Sequence, residues 1–220
     1  MLGRGFTQLT LFCKPSTKFC KTFNTKICCR HISRSLVSSK RVEHLTLTAK
    51  QFRQMKIFKA SVQKIENASP SVRKIFLRIE EPGFEYKAGQ WVDFFIPGVE
   101  QVAGYSMTSA PCMVQEAGLM ELAIRYSDFP PTRWIHRECE PGKEISVRVG
   151  GDFFYDPQPN DLDANSDILL VGGGVGINPV ASIAQHYCYL KGKNSTSPDI
   201  QPGNLKVFYS ARTEKELIYR

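Results

Sequence analysis

Ile168-Leu169-Leu170-Val171-Gly172-Gly173-Gly174-Val175-Gly176-Ile177-Asn178-Pro179 is the stretch on which the fold turns. Its first four residues are a continuous apolar run, the pattern of a strand buried on both faces of a parallel sheet. Glycines follow at once, so the chain can turn sharply and bring backbone N–H groups close to a ligand. Asn178 reads as the N-cap of a helix and Pro179 as its first residue, where a missing N–H costs nothing. Val180, Ile183, Ala184 and Tyr187 then recur at helical spacing and are expected to face the sheet. Beyond a loop rich in Ser, Pro and Gly, Leu205–Tyr209 reads as a second strand. These pieces make one βαβ unit. Its glycine turn, set at a helix N-terminus whose dipole favours negative charge, suits a pyrophosphate, although glycine-rich turns also serve plain packing. The spacing Gly174-x-Gly176-x-x-Pro179 puts proline where the usual dinucleotide fingerprint has its third glycine. No acid ends the second strand to take ribose hydroxyls. Arg212, just beyond it, suits a ribose or a 2′-phosphate, so NAD and NADP both stay open.

Upstream the grammar differs. From Lys56 to Tyr155 the sequence breaks into short β-rich runs at Lys59–Ile65, Val72–Ile79, Gln90–Ile96, Leu119–Tyr126 and Glu144–Val149. Turn signals such as Glu81-Pro82-Gly83, Pro97-Gly98 and Glu140-Pro141-Gly142 separate them. Five or six short strands at this spacing predict an antiparallel barrel. One exception, Pro131–Glu138, reads as a single helix with proline at its start. A polar link, Asp156–Ser166, joins the barrel to the βαβ unit. The fold class is therefore an antiparallel β-barrel followed by an incomplete α/β nucleotide-binding domain, with expected bounds 51–160 and 161–220.

The chain has 220 residues and a formal charge of +8, with 42% hydrophobic and 23% charged residues, an ordinary globular mixture. The basicity is local. Residues 1–60 hold 13 Lys/Arg and one acid, Glu43, whereas the remainder is mildly acidic. Met1–Val42 has no acid, nine Lys/Arg and many hydroxyl residues, the composition of a mitochondrial transit peptide. An inward-negative potential draws such a segment across a membrane. Arg30–Ser33 and Arg34–Ser38 carry the matrix-processing pattern of Arg, a spacer, an apolar residue and Ser. The reading is a matrix address over residues 1–50, handled by the mitochondrial import machinery and lying outside the fold. A basic arm for nucleic acid or anionic lipid is the alternative, which the acidic body disfavours. Cys112, Cys139 and Cys188, the body's cysteines, are too widely spaced for a zinc site or a disulfide framework, so no metal is expected. The longest apolar run, Ile168–Ala184, is interrupted by four glycines, Asn178 and Pro179, so no membrane span is expected.

Four ordered motifs carry a family resemblance: Ala88-Gly89-Gln90-Trp91, Gly104-Tyr105-Ser106-Met107-Thr108-Ser109, Gly172 to Pro179, and Tyr209-Ser210-Ala211-Arg212-Thr213. Over residues 55–220 the chain resembles the ferredoxin–NADP reductase superfamily. The resemblance implies a flavin-binding barrel, with FAD or FMN, followed by a nicotinamide-nucleotide domain for NAD or NADP. It implies that Tyr105 lies against the isoalloxazine ring and that Ser106, the catalytic residue, hydrogen-bonds near flavin N5. Met107, Thr108 and Ser109 resemble residues lining the same strand. Arg125 and Thr132 resemble the cation and the helix-start hydroxyl that hold flavin phosphates. Gly172, Gly173, Gly174, Val175, Gly176, Ile177, Asn178, Pro179 and Arg212 resemble the nucleotide-binding segment.

The sequence also departs from the family. Ala103 stands where the Arg-x-Tyr-Ser motif has arginine, and Pro130-Pro131 stands near the expected glycine before the phosphate-binding helix. The later Cys-Gly-Pro segment is absent, and two strands fall short of a doubly wound sheet, leaving an unpaired apolar edge. These features predict a truncated member whose own catalysis is in question. The functional expectation is hydride transfer from NAD(P)H to flavin and onward electron transfer to an unidentified acceptor. The alternative is a non-catalytic flavin- or nucleotide-binding form.

Overall fold

The computed structural model describes residues 6–9, 43–158, 166–193 and 203–219. The first strand, β1 (Phe6–Leu9), and a short helix, α1 (His44–Leu47), precede the barrel. The barrel strands are β2 (Phe58–Asn67), β3 (Val72–Arg78), β4 (Trp91–Phe95), β5 (Ala103–Ser106), β6 (Leu119–Arg125) and β7 (Glu144–Gly150). They pair antiparallel in the order β5-β4-β7-β2-β3-β6, and a bridge between Met107 and Leu122 joins the two outer strands. Val62, Ile75, Leu77, Val92, Phe94, Leu122 and Val147 are buried in its interior. On β2 a register shift between Val62 and Lys64 moves the inward phase from Phe58, Ala60 and Val62 to Ile65. One extra residue reverses which side chains face inward, which explains why the alternation read from the sequence is imperfect.

Two helices decorate the barrel, α2 (Pro111–Ala117) and α3 (Pro130–Arg137). The sequence reading places α3 within a residue and misses α2, as it misses β5 as a strand. β5 has four residues and a central glycine, too little for a periodic signal.

The second half contains β8 (Ile168–Gly173), a 3-10 turn over Gly174–Gly176, α4 (Ile177–Lys193) and β9 (Leu205–Ser210). β8 and β9 are parallel, as the helical crossover of a βαβ unit requires, and β1 lies antiparallel along the outer side of β9. Val180, Ala184 and Tyr187 pack against Val207 and Tyr209 as expected. Ile183 does not: its Cδ1 lies 3.1 Å from where a Cβ on Gly89 would stand, so it faces the barrel. Nor is β8 covered on both faces among the described residues. Ile168 and Leu170 pack toward α4, whereas Leu169 and Val171 are 61% and 65% exposed.

The expectation that residues 1–50 lie outside the fold also needs adjustment. Phe6–Leu9 pairs with the β9 edge, and residues 43–53 strap the outer face of the barrel. There His44 Nε2 lies 3.0 Å from Oδ1 of Asp93, and Arg53 Nε and Arg148 Nη2 lie 3.0 and 2.7 Å from its Oδ2. Asp93 is fully buried, and a buried carboxylate needs such partners. The rest of the expected address, including both processing patterns and Cys13, Cys20, Cys28 and Cys29, falls outside the described residues. Among the described residues no group of three metal-ligating side chains converges, and no helix is long and apolar enough to cross a membrane.

Candidate functional site

The site forms where the glycine turn meets the barrel, and the turn's glycines serve different ends. Gly172 is buried, and a Cβ there would come 2.8 Å from Cδ1 and 3.0 Å from Cα of Ile177, so its absence lets strand and helix pack. Gly174 takes a φ of +55°, the left-handed region that a side chain disfavours. At Gly176 a Cβ would meet nothing within 4 Å. That exposed glycine leaves open space at the start of α4, as close approach by a ligand would require.

Helix α4 is tied to the barrel through side chains that donate to backbone carbonyls. Asn178 Nδ2 donates to Ala123 O at 2.7 Å, Ser182 Oγ to Ser109 O at 2.6 Å, and Gln185 Nε2 to Thr108 O at 2.8 Å. Asn178 therefore does not cap the helix. It lies one residue inside it, nearly buried, and its amide reaches the barrel instead. Pro179 still falls in the first turn, where N–H groups have no intrahelical acceptor.

Two of these bonds, to Thr108 and Ser109, grip the segment that continues β5 and carries the motif residues. Tyr105 and Ser106 keep partly exposed side chains at the end of β5. The Tyr105 ring packs edge-on against Phe94 at 5.5 Å, and its hydroxyl lies 2.9 Å from Thr132 Oγ1, so the structure brings Tyr105 and Thr132 together. Met107, Thr108 and Ser109 have no exposed side chain at all. Thr108 Oγ1 donates to the Glu121 carbonyl at 3.0 Å and to its carboxylate at 2.9 Å. Ser109 Oγ accepts from Glu121 N at 3.0 Å and lies 2.9 Å from the Tyr86 hydroxyl. Burial pushes the Tyr86 phenol far up, so it stays protonated. The Thr108 and Ser109 hydroxyls are both engaged inside the protein, and the Met107 side chain is fully buried.

Arg125 ends β6, and its guanidinium sits over the turn, 3.6 to 3.9 Å from where a Cβ on Gly174 would lie. Its Nη2 reaches Glu216 Oε2 at 3.5 Å, and Glu216 also accepts from Ser71 Oγ at 2.5 Å and Ser69 Oγ at 3.0 Å. Burial pushes the Glu216 carboxyl up, but the serine hydroxyls and Arg125 outweigh it and hold the group below its ordinary range. Arg212 stands exposed two residues past β9, apart from this cluster of contacts. Glu216 escaped the sequence reading because one acid in Arg212-Thr213-Glu214-Lys215-Glu216 carries no spacing signal. At the start of α3 an open recess is lined by Tyr126, Ser127, Asp128, Phe129 and Pro130.

No family model matches the sequence. Among curated relatives, oxidoreductase NAD-binding domain-containing protein 1 of Xenopus tropicalis is 45% identical over 196 residues, 88% of this chain and 62% of that protein. Its namesake in Danio rerio is 43% identical over 185 residues, 84% of this chain and 67% of that protein. The chain thus spans about three fifths of the length of the first curated relatives it matches. Among solved structures, the cytochrome P450 reductase GcoB of Amycolatopsis is 25% identical, with a TM-score of 0.52 over 66% of this chain and 41% of that one. The ferredoxin–NADP+ reductase of Plasmodium falciparum, at 16% identity, shares the fold with a TM-score of 0.56 over 74% of this chain and 62% of that one. Six barrel strands followed by a glycine-turned βαβ unit, in motif order and at this identity, mean that the chain belongs to the oxidoreductase NAD-binding domain-containing protein 1 family, on the ferredoxin reductase fold.

Proposed function

We propose that the chain is the flavin-binding barrel and first nucleotide-binding segment of an NAD(P)H oxidoreductase that passes hydride from nicotinamide to flavin and electrons to a separate acceptor. The observation that carries this reading is the three-bond seam that sets the glycine turn beside the strand bearing Tyr105 and Ser106. Redox chemistry of this kind belongs to the flavin and nicotinamide, and the protein supplies binding and orientation.

The residues present fit a flavin. Tyr105 offers a partly exposed ring, Ser106 a partly exposed hydroxyl, and the adjoining Tyr105 and Thr132 hydroxyls an uncharged pair able to donate to a phosphate. Ala103 is buried and brings no cation, and Pro130 and Pro131 remove two N–H donors from the start of α3. Phosphate binding therefore falls to hydroxyls on the α3 side. FAD is the proposed flavin, with FMN as the smaller option, and NADH or NADPH is the proposed donor. Arg125, which the resemblance assigns to the flavin phosphates, lies over Gly174, so in this proposal it serves the donor's pyrophosphate at Gly174, Val175 and Gly176 instead, with Arg212 nearer the ribose.

A second reading, a binding module without hydride transfer, draws support from the sheet face at Leu169 and Val171, which is uncovered among the described residues. The visible spectrum of the purified chain with FAD, before and after anaerobic NADH or NADPH, separates the two. Bleaching of retained flavin is the expected result. Retained flavin that never bleaches favours the module, and no retained flavin overturns the hydride-transfer reading. Residues 1–42 are proposed as a mitochondrial matrix address, supported by their acid-free basic composition. A fluorescent reporter fused to the chain should leave mitochondria when that segment is deleted, and unchanged localisation would reject the address.

A further inference from the structure

The seam between the two halves holds an anion that the hydride-transfer reading does not use. Glu216 lies in the 3-10 turn after β9, with its side chain only 13% exposed. Its carboxylate is anchored on the barrel by two hydroxyls, Ser69 and Ser71, which flank Pro70 in the tight turn between β2 and β3. The same oxygen faces Arg125 at 3.5 Å, a long contact beside the two serine bonds. Arg125 meanwhile presses its guanidinium against the positive-φ glycine of the turn, and its buried Nε–H has no acceptor among the described residues. The arginine is thus held loosely by one anion while facing the surface where another would arrive.

We propose that Glu216 is a positioning residue, the resident counter-ion that Arg125 exchanges for a phosphate of the dinucleotide at the Gly174–Gly176 turn. The serines, not the arginine, hold Glu216 in place, so the carboxylate stays behind when the guanidinium turns to the phosphate. It keeps the empty site neutral and the arginine aimed. It also opposes the incoming anion, which lowers nucleotide affinity and favours release. The proposal rests on the nucleotide reading of the glycine turn.

NADH binding to the full chain, followed by calorimetry across ionic strength, tests it in four forms: the natural protein, Glu216→Gln, Arg125→Gln and the double variant. Losing one opposing charge beside a phosphate corresponds to roughly 1.5–5-fold in affinity. Glu216→Gln is therefore expected to bind NADH more tightly by about that factor at low salt, with the gain fading as salt screens it. Arg125→Gln should bind more weakly, and adding Glu216→Gln to it should recover less affinity than Glu216→Gln gains in the natural background, since only the direct repulsion of the phosphate is left to relieve. A purely structural Glu216 predicts the reverse, weaker binding and a lower melting temperature in both backgrounds, and that result overturns the proposal. Unchanged NADH affinity in Glu216→Gln overturns it too, with the nucleotide reading left standing. Absence of NADH binding in all four forms overturns the nucleotide reading and the proposal together.

Discussion

Asp93 shows how much one side chain can demand of its surroundings. On β4 it sits between Val92 and Phe94, which point into the barrel, so it points out, yet it is fully buried because residues 43–53 cover it. Burial raises its carboxyl, but His44, Arg148 and Arg53 outweigh that and hold it below its ordinary value of 3.8. A carboxylate depressed on folding adds stability above its unfolded pKa, and that stability drains away as pH falls through the folded value. Asp93→Asn removes the charge and strands two arginines and a histidine, which should cost about 3–5 kcal/mol. Urea unfolding at pH 7 checks the loss, and the same titration toward pH 3 should show a shallower acid dependence in the variant. An equally steep acid limb would show that other carboxylates govern it. Nothing in Trp91-Val92-Asp93-Phe94 announces this cluster, because strand alternation assigns Asp93 to solvent and only the distant strap reverses the assignment.

At the scale of elements, long periodic segments were readable and short or borrowed ones were not. β2, β3, β6, β7 and α4 have enough residues for their pattern to rise above chance; the four strands stand within three residues of their expected bounds, and α4 starts two residues before its expected first position. β5 depends on pairing with β4, and Gly104 on that strand gives up its side chain to make room for the His44 ring. That fit links the motif strand to the strap, so the strap is part of the barrel although its composition resembles the leader's. Removing residues 1–42 should leave the melting temperature of the barrel unchanged. Removing residues 1–50 also takes His44 from Asp93 and the Thr48 carbonyl from Arg53, and should lower stability by about 1–3 kcal/mol. Thermal denaturation of the two truncations side by side decides whether the barrel starts at residue 43 or after residue 50.

For the whole molecule, the seam converts two separately legible halves into one site. The sequence shows a barrel and a βαβ unit, but the tether between them comes from polar residues on the helix face turned away from the sheet, where periodicity treats them as surface. Asn178, Ser182 and Gln185 make that face a tether. Replacing Ser182 and Gln185 by alanine should weaken docking by about 1–3 kcal/mol in total, with the barrel's own unfolding little changed. Differential scanning calorimetry would register this as one transition splitting into two. A single transition at an unchanged temperature would mean that apolar contact, not the tether, joins the halves.

All three acceptors of that tether are main-chain carbonyls, those of Thr108, Ser109 and Ala123. A carbonyl is supplied by whichever amino acid occupies its position. The barrel's half of this tether is therefore indifferent to side-chain identity so long as the backbone keeps its course, and within these three bonds recognition falls on the helix residues. Evolution can rewrite the strand surface beneath the helix without undoing the union, while a single base change on the helix side is enough to loosen it.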